Sequence, residues 1–596
     1  NIRIENKELE FIINNQYNKK LIQYINKDFE IENPKKIDEI LKGIYRNREI
    51  STRQFQYISF ANGIYHMGTG KDLLLYENKK LIEKNDKVES IGIFASLGFI
   101  DFYNPDKLCD ALSEFIFAEN NYRKSGSLLA LAIAGCRTVD TNHTLLALIS
   151  DSFMDDTYQK ISAMLAINLT YSTSLYYSVD KSFPTKLNCN AKLGNQNKNE
   201  NNFKGDNEEI KNKRKACDYD KIEEIKKLLS FTEKNLEEIS MTLLTLSSIY
   251  AGTGDISISS RIVSKLLEYS DESDNIFYKI MILSLGLLYI NTKGEFKQDQ
   301  SFSILDFLEN DAFDDYISNY IYVVIMGYSY AATSNTYIIE EILSIITSIT
   351  TLRDVGYLMV ALISIGDNTS SRMCMRLLGS DSENGRIAAI GLLYASNPLP
   401  EIIEFLSKKI NTNTLPTIFT LGIIGCGTNN KNIIKLLEDN YSFYQKNTKV
   451  FSMMRMAKGL INAGRGIYGI NIFPYNNIDI KTLVHLSTAL FLILDGDNSI
   501  NFQKYYFMNY LLAGTLTNKS ITTIKINEDI ENIEYTNTVI SVGNPIDIVG
   551  MAGNPKKLSS IQSNASPVVL QVGENGELND KDKTYTNVIE GVVIMK

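Results

Sequence analysis

Tryptophan is absent from the 596 residues, and histidine occurs only three times, at His66, His143 and His485. The histidines are far apart in sequence. None has neighbours at metal-ligand or nucleophile spacing, so each reads as structural or exposed. The six cysteines (109, 136, 189, 217, 374 and 426) include no Cys-x-x-Cys pair, which excludes the usual zinc and thiol-redox motifs. Cys109, Cys136, Cys374 and Cys426 stand in apolar helical surroundings and read as buried free thiols in a reducing compartment. No apolar run reaches the ~18 residues that cross a bilayer. The longest, Leu483–Leu494, is interrupted by His485, Ser487 and Thr488 and ends in Asp-Gly-Asp. An excess of positive charge is lacking too. With 61 Lys and Arg against 70 Asp and Glu, the net charge is −9 and the isoelectric point about 5.3. That balance argues against a nucleic-acid surface and suits neutral or basic protein partners. No signal peptide is visible, and a soluble intracellular protein is expected. The missing tryptophan, beside abundant Asn, Lys and Ile, reads as the bias of an AT-rich genome.

What the chain does have is a repeat. In 125–136, SGSLLALAIAGC, small residues stand at Gly126, Ala130 and Ala132, a spacing of i, i+4, i+6. The pattern recurs as Gly92, Ser96, Gly98 and as Gly385, Ala389, Gly391, and more loosely elsewhere. The i+6 positions fall at Gly63, Gly98, Ala132, Asn168, Ser247, Gly286, Gly327, Ser364, Gly391, Gly422 and Gly459. Successive gaps run from 27 to 41 residues, with one exception of 79. Such gaps suit two helices and two turns, the unit of an α-solenoid. Positions i and i+4 share a helix face, and i+6 lies about 120° away. Small residues on both sides let one helix approach two neighbours, so these helices are expected to form an inner layer with partner helices outside. This doubled pattern favours tight concentric layers closed into a ring. Glycine pairs (68 and 70, 252 and 254, 425 and 427, 464 and 466) are expected to stop many inner helices.

Three segments are expected. Residues 1–50 form a charged N-terminal helical segment. Residues 51–499 hold the repeats. Residues 500–596 form a β-rich domain with short strand-like runs between Gly, Pro and Asn turns, capping the stack. The Asn-, Lys- and Glu-rich stretch 178–222 reads as a disordered insertion that is dispensable for folding, and it accounts for the 79-residue gap.

Motifs that suggest chemistry dissolve on inspection. Gly68-Thr-Gly-Lys71 lacks the first glycine and the Ser or Thr of a phosphate-binding loop, since Tyr65 and Asp72 stand there. It reads as a helix-ending turn. Gly-Arg-Gly-Ile-Tyr-Gly (464–469) matches GxGxxG literally, but it follows a helix and opens no βαβ unit. No catalytic, cofactor or metal constellation is expected. One charged stretch offers a surface: Glu295, Asp299, Asp306 and Glu309, with Asp306 and Glu309 on one helix face. It is either an ordinary solvated outer face or an acidic surface for a basic-rimmed partner.

Phe419-Thr-Leu-Gly-Ile-Ile-Gly-Cys-Gly-Thr-Asn-Asn430 and Val542-Gly-Asn-Pro-Ile-Asp-Ile-Val-Gly-Met-Ala-Gly-Asn-Pro-Lys556 are the most distinctive segments. Ser566-Pro-Val-Val-Leu, Gly573–Leu578 and Ile589–Ile594 follow in the same order. Together these resemble the family of 26S proteasome non-ATPase regulatory subunit 2, the scaffold and ubiquitin receptor of the regulatory particle base. The likeness covers roughly 51–596. The C-terminal block separates it from the sister repeat scaffold of the regulatory particle, and the tight inner helices from general helical-repeat adaptors. The resemblance implies a mainly α fold, a toroid of proteasome/cyclosome repeats with a small C-terminal β domain. It implies no enzymatic activity and no cofactor. The implied partners are proteasomal ATPase subunits, ubiquitin, the ubiquitin-like domains of shuttle receptors and a ubiquitin-specific deubiquitinase, with no nucleic acid or membrane, in cytoplasm and nucleus. It points to the repeat with inner helix 279–289, hence to Glu295, Asp299, Asp306 and Glu309, as a receptor site. The chain differs from the family in lacking several hundred N-terminal residues and a late acidic insertion, and in carrying its own insertion at 178–222.

Overall fold

The computed structural model describes residues 18–29, 34, 52–75, 87–117, 120–138, 144–150, 156–174, 225, 235–293, 313–366, 368–378, 383–474, 477–526, 533–547, 556–571, 574–578 and 591–595. Among these residues, eleven inner helices each carry one of the small i+6 positions. They are α1 (Thr52–Tyr65), α2 (Glu89–Ala95, continued past Ser96 by Leu97–Ile100), α3 (Asn121–Gly135), α4 (Thr157–Tyr171), α5 (Leu236–Ile249) and α6 (Ile276–Leu288). The series continues with α7 (Asp315–Ser329), α8 (Arg353–Ser364), α9 (Glu383–Leu393), α10 (Thr414–Ile424) and α11 (Thr448–Ile461). Each packs on the next, and α11 packs on α1, so the solenoid closes into a ring. The 79-residue gap is a single step of that ring, because α4 packs directly on α5.

The doubled small-residue pattern has a plain geometric cause. At the i positions the glycines face the preceding helix: a Cβ on Gly126 would stand 2.7 Å from the Ile91 carbonyl oxygen, and one on Gly385 2.6 Å from Asp354 Cα. At the i+6 positions they face the following helix, as with Gly63 and the Ser96 carbonyl oxygen at 2.5 Å, or Gly422 and Ala457 Cα at 3.0 Å. At the closing seam, a Cβ on Gly459 would meet Ala61 Cα at 2.7 Å. Large apolar residues between them, such as Leu128, Leu129 and Ile133, are fully buried. Outer helices bury one stripe only. In Ile256–Glu268, Ile258, Ile262 and Leu266 are buried while Ser257, Ser260 and Ser264 face solvent, as the 3.6-residue period requires.

Helix ends are satisfied between repeats. Gly68-Thr-Gly70, Gly252-Thr-Gly254, Asn291-Thr-Lys293, Ala332-Thr-Ser334 and Gly427-Thr-Asn429 follow α1, α5, α6, α7 and α10. In each, the outer two residues take positive φ. Their two N–H groups donate to the last carbonyls of the next inner helix, for instance Gly68 to Phe99 and Gly70 to Ile100, or Ala332 to Leu362 and Ser334 to Ile363. The central threonine hydroxyl donates to the carbonyl three residues back. Carbonyls that every helix leaves unpaired at its C-terminus are thus paired by the preceding repeat. The expected glycines 68, 70, 252, 254 and 427 stand at such stops, and Asn291, Lys293, Ala332, Ser334 and Asn429 hold the same conformation. The ladder of inter-repeat bonds outweighs the cost of a side chain there. At the other helix ends, the abundant asparagines are working residues: Asn120, Asn275, Asn335, Asn430 and Asn447 accept N-terminal amides as caps.

The middle of the ring is filled. Helix α12 (Ile480–Leu492) lies against α8 and α9, and a 3₁₀ segment, Tyr506–Thr515, against α2, α3 and α4. Thr482 to Leu492 and Tyr506 to Thr515 are buried on every side. Residues 500–515 were expected in the β-rich part. They are helical instead, because their apolar residues complete the ring's interior. Strand β1 (Tyr468–Ile470) pairs antiparallel with β2 (Leu516–Asn518). Beyond it, β3 (Ser520–Ile526) pairs antiparallel with β4 (Ile533–Tyr535) and β7 (Val568–Val569), and parallel with β9 (Val592–Met595). A second sheet sets β5 (Val539–Asp547) between β6 (Lys556–Ala565) and β8 (Asn575–Leu578), with a bulge between Val542 and Asn544. Ile521, Ile540, Val542, Val568 and Leu570 form a small core that draws on both sheets. The helix Asn18–Asp28 joins the two parts: Tyr24 stacks on Tyr535 at 3.9 Å and Asn26 donates to the Gly68 carbonyl.

Candidate protein-interaction surface

The phosphate-loop and GxGxxG look-alikes have other duties. The amides of Gly68 and Gly70 are taken by Phe99 and Ile100, so none is left to cradle a phosphate. Gly464-Arg-Gly466 is a 3₁₀ turn with positive φ that leads from α11 into β1. Two histidines are built into the core. His66 Nδ1 lies 3.1 Å from the Asn62 carbonyl oxygen, and His485 Nε2 lies 3.1 Å from Asn168 Oδ1. His143 is outside the described residues. Of the cysteines, Cys136, Cys374 and Cys426 are buried free thiols and Cys109 is half-buried. Burial pushes Cys374 and Cys426 up to about 12, which makes them poor nucleophiles. Among the described residues no cluster of three or more His, Cys, Asp and Glu could hold a metal ion.

Polar side chains instead lock the central plug to the ring. Arg137, after α3, donates to Asp479 Oδ2 at 2.6 Å, to the Thr482 hydroxyl and to the Gly514 carbonyl. Lys481 Nζ donates to the Cys136 carbonyl at 2.5 Å. Asn168, the polar residue at the α4 small position, bridges the Ser248 hydroxyl of α5 and His485 of α12. Burial raises the Asp479 carboxyl, but the Arg137 guanidinium and the Thr482 hydroxyl outweigh it and hold the group below the usual carboxylate range. Burial lowers Lys481 to about 8, and burial with the nearby Lys481 and Arg137 cations keeps His485 neutral. On the ring itself, Lys160 of α4 pairs with Glu238 of α5, both buried. Every member of this network has a structural partner, so its chemistry is spent on assembly.

The surface is left to the outer layer. Glu295, Asp299, Asp306 and Glu309 fall between α6 and α7, outside the described residues, as does the insertion 178–222. The structure does describe acids on either side of that stretch in the sequence. Asp271, Glu272 and Asp274 precede α6, and Asp314 and Asp315 open α7; all five are exposed. Leu267, at the end of the neighbouring outer helix, is 40% exposed. The three acids before α6 were missed in the sequence. Their signal is the run Asp-Glu-Ser-Asp at 271–274.

Comparison with known proteins gives this architecture its context. A family model described as 26S proteasome non-ATPase regulatory subunit RPN1 C-terminal matches residues 549–596. The 26S proteasome regulatory subunit RPN1 of Encephalitozoon cuniculi is 31% identical, over 99% of this chain and 69% of its own length. The 26S proteasome non-ATPase regulatory subunit 2 of Dictyostelium discoideum is 26% identical, over 98% of this chain and 62% of its own. The 26S proteasome regulatory subunit rpn1 of Schizosaccharomyces pombe is 25% identical, over 99% and 64% respectively. The chain therefore spans roughly two thirds of the length of these relatives. Matched along almost its whole length, and carrying the C-terminal segment that has its own family model, the chain belongs to the RPN1, or non-ATPase regulatory subunit 2, family of 26S proteasome regulatory subunits.

Proposed function

We propose that this chain is a non-catalytic scaffold and receptor in the base of the 26S proteasome regulatory particle, working in cytoplasm and nucleus. It docks on the ATPase ring and receives ubiquitin, the ubiquitin-like domains of shuttle factors and a deubiquitinase. The observation that carries this reading is the near full-length match to proteins named as proteasome regulatory subunits. The plugged ring supports it. With α12 and Tyr506–Thr515 packed across the lumen, the ring is suited to present surfaces, not to pass a polypeptide. Affinity purification of the tagged chain, with identification of the co-purifying ATPases, tests the docking role; their absence would reject it.

The receptor site is the acidic stretch between α6 and α7 that holds Glu295, Asp299, Asp306 and Glu309, followed in sequence by the exposed Asp314 and Asp315. Ubiquitin presents an apolar patch with a basic rim, which an acidic rim around Phe302, Ile304 and Phe307 would complement. The contact is small and individually weak, with avidity supplied by chains. Replacing Asp306 and Glu309 by Arg should weaken binding of a ubiquitin-like domain several-fold, with the melting temperature unchanged. NMR titration or calorimetry reads the affinity; an unaltered value would move the receptor role to another face.

A further inference from the structure

We propose that the ring carries a binding site for a compact polyanion, a small molecule bearing several phosphate groups, across the seam where the solenoid closes. A cavity of about 680 Å³ opens on the side of the ring where the inner helices begin. Five consecutive inner helices around the closed ring approach it with their first turns: α11, α1, α2, α3 and α4. Its floor includes residues of the central segment between α12 and the 3₁₀ stretch. Four cations line it, each from a different part of the chain: Arg53 of α1, Lys87 just before α2, Lys449 of α11 and Lys504 of the central segment. Among the described residues a single carboxylate, Glu89, lines it with them. In a chain of net charge −9 this local excess runs against the whole, and like charges gathered around one concavity repel unless an anion offsets them.

Two of the four cations are not consumed by the fold. Lys87 and Lys449 are exposed, and no carboxylate among the described residues pairs with either. Arg53 donates to the Gln503 carbonyl, and Lys504 is shared with Glu237, which lies outside the lining. The volume is that of a small-molecule site. The charges reach one cavity from four separate chain segments, which suits a compact ligand carrying several charges better than an extended acidic peptide. Three of the four are lysines, the point charges that serve phosphate as well as the planar guanidinium does. Lys449 and Lys87 come from opposite sides of the α11–α1 seam, so the ligand would hold the ring shut, and the cavity exists only when the ring is closed.

The test uses the full chain with inositol hexakisphosphate as probe, and a Glu-rich peptide of similar net charge for comparison. Calorimetry should show saturable binding of the phosphate probe that weakens with salt. Lys87→Glu with Lys449→Glu should reduce it on the order of ten-fold per reversed charge. Both side chains are exposed, so the double variant should melt, without probe, at the parent temperature. Should it not, Lys87→Gln and Lys449→Gln tested singly give the same reading. Absence of probe binding, or equal binding by parent and variants, overturns the site. Tighter binding of the peptide than of the phosphate probe overturns the ligand class. None of these outcomes bears on ATPase docking or on the face between α6 and α7.

Discussion

At the residue scale, the turn after each inner helix shows how a local cost is carried by a tertiary bond. Ala332 and Lys293 hold positive φ, a conformation that costs an L-residue about 1–2 kcal/mol. They keep it because their amides reach Leu362 and Ser329 of the next repeats. Ala332→Gly should therefore raise stability by up to about 1 kcal/mol, the relief of strain less the entropy that glycine loses on folding. Chemical denaturation checks this, and a lower stability would show that the unfolded-state term dominates. At Gly427 the same backbone shape has a second cause. A Cβ there would collide with the Tyr468 carbonyl of β1, so glycine is required for space as well as for φ.

At the element scale, the inner helices are set by close approach and the outer ones by a single stripe. Gly126 is the clearest case, with the Ile91 carbonyl oxygen 2.7 Å and Phe94 Cβ 2.8 Å from where its own Cβ would stand. Gly126→Leu forces α3 away from α2 and should cost on the order of 1–3 kcal/mol or more. A melting temperature equal to the parent's would remove α3 from the inner layer. The plug helix α12 has a different constraint, since it brings charge into the ring. Lys481 is lowered to about 8 by burial, against an unfolded value near 10.5. Between those values the unfolded chain binds more protons, so this group makes stability rise as pH climbs from about 8 to about 10.5. Below 8 both states are protonated and the penalty stays constant. Lys481→Met should remove up to about 1 kcal/mol per pH unit of that rise. Denaturation of parent and variant at pH 7.5 and 9.5 compares the slopes, and equal slopes would mean the ammonium is as well solvated in the fold as outside it.

At the scale of the whole molecule, the ring closes where the first and last inner helices pack together. Gly459 of α11 faces Ala61 of α1, where a Cβ would come within 2.7 Å of backbone. Gly459→Leu should open that seam while leaving the other helix pairs in place. Small-angle scattering would then report a larger radius of gyration with nearly unchanged helical content. An unaltered radius would show that the plug, not the seam, holds the ring. The plug is a credible competitor: the Tyr510 hydroxyl donates to the Gly92 carbonyl of α2, and Phe60 of α1 packs edge-on against the Tyr510 ring.

The inner helices were legible in the sequence because close backbone approach tolerates only small side chains, and that demand repeats at fixed spacing along the chain. That such a helix approaches two neighbours could be read from i and i+6 alone; that Gly126 faces the preceding helix and Gly98 the following one came from the structure. The looks of a phosphate loop at Gly68–Lys71 could be discounted because Tyr65 and Asp72 stand where that loop needs glycine and Ser or Thr. Other features had no local signature. Lys293 at a helix stop carries no mark of positive φ, because the bond that holds it comes from the next repeat. Residues 500–515 resemble any apolar run, and only the empty middle of a closed ring makes them a plug. Arg53, Lys87, Lys449 and Lys504 are spread over some 450 residues of sequence, and the meeting of the first and last inner helices is what gathers them. Periodic demands of packing are written along the chain; contacts between its distant parts arise only when the ring shuts.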